Sequence, residues 1–118
     1  MQDKIVINDY IENDPLSEEN LDKTLETVNR FRLLFPNKSI WIYSGYRWSE
    51  IFNDGVYLTR DCAGWKRREI VKQCTVMVDG RYIDSQRDIT LKWRGSTNQR
   101  VLDIRKSLEQ NKVVLYCN

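Results

Sequence analysis

Leu21, Leu25, Val28, Phe31 and Phe35 recur at spacings of four, three, three and four, and Pro36-Asn37 ends the pattern. That spacing gathers the apolar side chains into one stripe of an α-helix, and the stripe has to be buried against another element. The next segment supplies the candidate. Ile40-Trp41-Ile42-Tyr43 is apolar throughout, with Asn37 before it and Gly45 after it. A short β-rich run without alternation reads as a strand covered on both faces, the habit of parallel sheets. Thr75-Val76-Met77-Val78 repeats this and ends at Asp79-Gly80, while Ile5-Val6-Ile7 reads as a strand start weakened by Asn8 and Asp9. The order strand, helix, strand, helix, strand predicts α/β architecture with mostly parallel pairing.

Local signals set the boundaries. Asn13-Asp14-Pro15 marks a turn, because proline drives its predecessor out of the helical region. Ser17 stands at an N-cap position with Glu18 and Glu19 in the first turn, where the helix dipole favours acids. A short helix is predicted from about Ser49 to Phe52, broken by Asn53-Asp54-Gly55. Thr59 or Asp61 could cap a second long helix running through Trp65, Ile70 and Val71 to about Gln73. In the tail, Leu91-Lys92-Trp93 reads as extended and Arg94-Gly95-Ser96 as a loop. Residues 101–104 fit a strand or a helix, and residues 113–116 fit a last strand. No repeat, low-complexity tract or linker divides the chain, so residues 1–118 are expected to form a single domain.

The chain has no histidine. This removes the commonest metal ligand and the commonest general base at neutral pH, and with them any Ser-His-Asp triad or Cys-His pair. Three cysteines, Cys62, Cys74 and Cys117, form an odd and widely spaced set, unlike a secreted disulfide framework. Nineteen basic against 17 acidic residues demand no polyanionic partner. No stretch approaches the ~20 apolar residues of a membrane helix, and Met1-Gln2-Asp3-Lys4 lacks a signal-peptide core. A cytoplasmic location, with no membrane partner, is the expectation.

Four strings carry a resemblance. They are Asp14-Pro15-Leu16; Trp41-Ile42-Tyr43-Ser44-Gly45-Tyr46; Val76-Met77-Val78-Asp79-Gly80-Arg81; and Leu91-Lys92-Trp93-Arg94-Gly95-Ser96-Thr97-Asn98-Gln99-Arg100. In this order the chain resembles, from about residue 14 to residue 118, the C-terminal part of the anaerobic ribonucleotide reductase activating proteins. These are radical S-adenosylmethionine oxidoreductases that activate a glycyl-radical enzyme in deoxyribonucleotide synthesis. The resemblance implies an incomplete radical-SAM-type partial β/α barrel with mostly parallel strands. It also implies S-adenosylmethionine and a [4Fe-4S] cluster as the family's cofactors, and the large subunit of the reductase as partner. The sequence departs from the family in two places. None of its cysteines has the family's C-x3-C-x2-C spacing, and the family's Gly-Gly-Asp-Pro turn appears here as Glu12-Asn13-Asp14-Pro15. The cluster ligands are therefore expected to be absent from this chain, which by itself should be inactive, with no metal-ligating or catalytic residue of its own. An alternative is a truncated, non-catalytic homologue that acts as an interaction module on the reductase.

The candidate cofactor-binding residues are Asp14, Pro15, Ser44, Gly45, Tyr46, Asp79, Arg94, Ser96 and Asn98. Ser44-Gly45-Tyr46 follows a predicted parallel strand, where open α/β sheets bind ligands; alternatively Tyr46 packs under the next helix. Asp79 is either a group that orients a polar part of the cofactor or an ordinary turn residue. Arg94 offers a planar fork for a carboxylate, and Asn98 and Gln99 offer paired donors and acceptors. The alternative is a loop held together by its own side chains. Trp65-Lys66-Arg67-Arg68 and Arg47-Trp48 interleave cations with aromatics, as single-strand nucleic-acid binders do, though a solvated helix face is the plainer reading. Nucleic acid is not an expected partner. A truncated barrel would leave a sheet edge open, so a homodimer is a further expectation.

Overall fold

The computed structural model describes residues 4–53 and 58–116. The predicted break at Asp54-Gly55 and the thiol of Cys117 lie outside the described residues. Among these residues eight strands and α-helices follow one another: β1 (Lys4–Val6), α1 (Leu21–Leu34), β2 (Ser39–Ser44), α2 (Trp48–Ile51), α3 (Ala63–Gln73), β3 (Val76–Asp79), β4 (Arg100–Asp103) and α4 (Ile104–Gln110). The four strands form one sheet in sequence order. β1 pairs parallel with β2, and β2 parallel with β3, whereas β3 and β4 are antiparallel, Val78 facing Val101 and Asp79 facing Arg100. The protein is thus α/β with a four-stranded, mostly parallel sheet.

The helical stripe does what its spacing requires. α1 and α3 pack side by side over one face of the sheet, where Ile7, Leu16, Val28, Ile40, Ile42, Ile70, Met77 and Leu102 are fully buried. The second face is a smaller cluster of Trp41, Val76, Val78 and Val101. Strand residues alternate between these two faces, which is why runs that are apolar throughout were needed. Between the helices, Arg32 closes the far edge: its guanidinium donates to the carbonyls of Gln73 at the end of α3, Pro36 just past α1 and Lys38 just before β2.

Several boundaries differ from the sequence reading. Ser17 precedes a 3-10 turn, Glu18–Asn20, and its hydroxyl donates backwards to the Asp14 carbonyl instead of capping. The cap of α3 is Cys62, whose sulfur accepts from Trp65 N–H, while Asp61 just before it takes a left-handed φ of 70°. Leu91-Lys92-Trp93 is not extended; it lies in an irregular loop where Trp93 has φ 66°. The ambiguous stretch at 101–104 resolves into the end of β4 followed directly by a helix. Asp103 caps α4 by accepting from Lys106 N–H, and Asn111 ends it in the left-handed region. The predicted last strand reduces to a single bridge, Leu102 with Leu115, supported by bonds from Asp103 N to Val114 O and Tyr116 N to Val101 O.

Candidate functional site

Asp14, Ser44 and Gly45 come together at the C-terminal ends of the parallel strands. The Asp14 carboxylate accepts from Ser44 Oγ at 2.9 and 3.1 Å, from Gly45 N–H at 2.8 Å and from Leu16 N–H at 2.9 Å. The loop before α1 is thereby tied to the end of β2. Asn20 tightens the same loop by donating to the carbonyls of Glu12 and Asp14. Pro15 and Leu16 are buried beneath it. Asn13, at the glycine position of the family's turn, has φ 64°, a conformation asparagine tolerates better than most residues. The turn therefore keeps a glycine-like backbone without a glycine.

Alongside, Asn8 acts as a substitute strand residue. β1 ends at Val6, yet the Asn8 amide donates to Tyr43 O and accepts from Tyr43 N–H, both at 2.9 Å, continuing the ladder by one step. A cleft of about 370 Å³ opens between these groups and the far side of the rim, lined among others by Asn13, Ser44, Gly45, Gly80, Arg81 and Gln99. Arg81 is exposed, and its side chain makes no hydrogen bond or ion pair among the described residues. Gly45 makes room for it, since a Cβ there would lie 3.1 Å from Arg81 Cγ. Arg81 closes the third of the resembling strings but was not among the candidates. Its position directly after a strand-end Asp-Gly was the available signal.

The remaining candidates sit elsewhere. Tyr46 turns away from the cleft: its ring lies 4.4 Å from the Arg67 guanidinium and its hydroxyl accepts from Arg67 at 3.0 Å. Asp79 is buried and fully engaged, accepting from Arg100 at 3.0 and 2.6 Å and from Trp48 N–H at 2.8 Å. It joins β3, β4 and the start of α2, and its hydrogen bond holds the Arg100 pKa above the usual guanidinium value. Arg94 donates to Gln99 O, Ser96 accepts from Ile83 N–H and donates to Asn98, and Asn98 donates to Arg81 O. These three hold a loop together. The cations of Trp65-Lys66-Arg67-Arg68 are likewise engaged: Lys66 with Asp22, Arg67 with Leu16 O, Arg68 with Ile51 O and Asn53 O.

Cys62 and Cys74 cap opposite ends of α3, which at ~1.5 Å per residue places them about 18 Å apart. Burial pushes the Cys74 thiol up to about 12, and it donates to Ile70 O. The Trp65 N–H lowers the pKa of Cys62.

A family model described as a 4Fe-4S single cluster domain matches residues 13–102. The anaerobic ribonucleoside-triphosphate reductase-activating protein of Escherichia coli strain K12 is 33% identical over 92 residues, 78% of this chain and 52% of that protein. Its namesake from Vibrio cholerae is 33% identical over 86 residues, 73% of this chain and 48% of the relative. That of Enterobacteria phage T4 is 31% identical over 90 residues, 75% and 47%. The chain spans about half the length of the relatives it matches. No solved structure matches it. A [4Fe-4S] cluster needs converging thiolates, and Cys62 and Cys74 do not converge; among the described residues no group of three or more Cys, Asp or Glu side chains could hold a metal. The described residues thus do not fit the cluster. The matched segment nonetheless takes in β2, β3, most of β4 and the Asp14 turn, and the chain belongs to the 4Fe-4S single cluster domain family.

Proposed function

We propose that this chain is the ligand-binding rim of an activating protein for anaerobic ribonucleotide reductase, and that it takes S-adenosylmethionine in the cleft between Asp14 and Arg81. The sheet is then part of a radical-SAM-type partial barrel, whose helices cover the outer face and whose strand ends carry the ligand. The observation that carries the reading is the Asp14–Ser44–Gly45 tether facing an unpaired Arg81. Asp14 fixes the loop, and Asn13, in the left-handed region, lines the cleft. Arg81 offers its free planar fork to the methionyl carboxylate. The role assigned here is binding and orientation. Thiolates besides Cys62 and Cys74 would have to hold a cluster, so no radical step is assigned to the described residues.

Calorimetric titration of the chain with S-adenosylmethionine tests this. Binding is expected, with Arg81→Ala weakening it about tenfold or more, the effect of losing a charge-assisted fork. The absence of heat at millimolar ligand refutes it.

A second reading, that the chain is a non-catalytic module docking on the large reductase subunit, is favoured by one observation. Asp79, Arg94 and Asn98 are all occupied by internal hydrogen bonds, so much of the candidate rim serves as scaffold. Ligand-independent capture of the large subunit, with no calorimetric signal, selects this reading over the first.

A further inference from the structure

Antiparallel neighbours are commonly joined by about two to five residues, yet residues 80–99 lie between β3 and β4. This connection is not slack. Asp88 N–H donates to Gly95 O, Thr97 N–H to Gln86 O, and Arg87 pairs with Ser96. Gln99 accepts from the N–H groups of Gly95 and Ser96 and donates to Gly80 O, while Asn98 donates to Arg81 O. Among the described residues, the hydrogen bonds of residues 81–99 all close within residues 80–99. The loop is a body of its own, attached by a narrow neck, as in compact Ω-loops.

The loop residue that packs against the apolar cluster of the sheet is Trp93, while Arg81 lies beside Gly45 at the neck. Trp93 packs into the second face of the sheet, edge-on to Trp41 at 5.3 Å and to Tyr116 at 5.6 Å. Trp93 does so at φ 66°, a conformation costly for a bulky residue. Beside it lies a cavity of about 290 Å³, lined among others by Leu91, Trp93, Val101 and Leu115. On the outside of the loop, Ile89 is 86% exposed. At the neck, Gly80 has φ 100°, where L side chains rarely go, and no Cβ resists rotation.

We propose that residues 81–99 form a rigid flap that swings on Gly80 and Gln99, closed over the sheet's second face by Trp93 as its latch. Interior hydrogen bonds move with the flap; the contacts broken on opening are those of Trp93 and, next to the hinge, of Arg81 beside Gly45. Gly80, Arg81, Tyr82 and Gln99 at the neck also line the rim cleft, so the flap's position sets the shape of that cleft. The device depends on no particular ligand and stands apart from the function proposed above.

The test uses the full chain, labelled with 5-fluorotryptophan, together with amide exchange. Trp41 is 3% exposed in the closed form. In Trp93→Ala its accessibility to a soluble paramagnetic probe should rise about tenfold, while the Asp88 and Thr97 amides keep wild-type protection. Trp93→Phe should move Trp41 the same way by less. A Trp41 that stays shielded in both variants removes Trp93 as a latch. Flap amides that lose protection together with Trp41 show a loop that melts, and overturn the rigid flap. Should Trp93→Ala fail to fold, judged by lost protection in α1, the Trp93→Phe result alone decides: unchanged Trp41 shielding refutes the proposal.

Discussion

The two faces of the sheet are built by different means. On one, α1 and α3 bring Val28, Ile70 and Val71 against Ile40, Ile42, Met77 and Leu102, and the side chains interlock from several elements at once. On the other, Val76, Val78 and Val101 lie under Trp41, Trp93 and Tyr116, and much of the cover comes from a loop whose hydrogen bonds are its own. Parallel strands normally have helices on both faces. Here the second face has a plug instead. A helix-packed face resists change because its neighbours cannot follow a shrinking side chain; a plugged face yields because the plug can settle.

Met77 and Val78 make the sharpest probe, since they are adjacent on β3, point to opposite faces and are both fully buried. Met77→Ala leaves a cavity among rigid partners and should cost about 3 kcal/mol in chemical denaturation. Val78→Ala removes two methyl groups, worth about 1.6 kcal/mol by transfer alone, and the flap should settle so that little cavity cost is added. Equal losses at the two positions, after allowing for side-chain size, would erase the distinction between the faces.

Asp79 tests the seam where the faces meet. Its carboxylate ties β4 and α2 to β3 through Arg100 and Trp48. Asp79→Asn keeps an acceptor for Trp48 N–H and loses the charge opposite Arg100. Because the Arg100 side chain is 35% exposed and can turn to water, the expected loss is about 1.5 kcal/mol, the low end for hydrogen bonds to charged groups. A loss confined to the flap side, read as faster amide exchange in residues 80–99 with α2 unchanged, would show that the seam belongs to the plug.

How much of this was legible in the sequence follows from how local each cause is. The α1 stripe and the strands around Ile42 and Met77 could be read because helix and strand periodicities repeat within a few residues. α4 was missed although Asp103 and Asn111 are good cap residues, since its seven residues carry too short a pattern. Trp93 could not be read at all: its left-handed φ answers to Trp41 and Tyr116, far away in the chain. The same holds at the site. The rim position of Ser44 and Gly45 follows from the strand-end rule and the resemblance. That Asp79 belongs to Arg100, and that Tyr46 belongs to Arg67, are facts of tertiary packing. Arg81 was left out because nothing local distinguishes a free arginine from an engaged one.

The smallest expected effect lies at Asn13, where the sequence departs from the family's glycine. A side chain in the left-handed region costs roughly 1 kcal/mol more than glycine, and asparagine reduces that by local hydrogen bonding. Asn13→Gly should therefore leave stability within about 0.5 kcal/mol, because relief of strain offsets the greater freedom of the unfolded chain. Asn13→Ala, which keeps a Cβ but no amide, should lose about 1 kcal/mol. The contrast matters for the rim: with the Asp14 carboxylate locked on Ser44 and Gly45, the turn has little freedom to adopt another φ. If Asn13→Ala matches Asn13→Gly in denaturant midpoint, the turn has moved to an ordinary conformation. The Asp14 tether would then be looser than its hydrogen bonds imply, making the rim, like the flap, a region that adjusts.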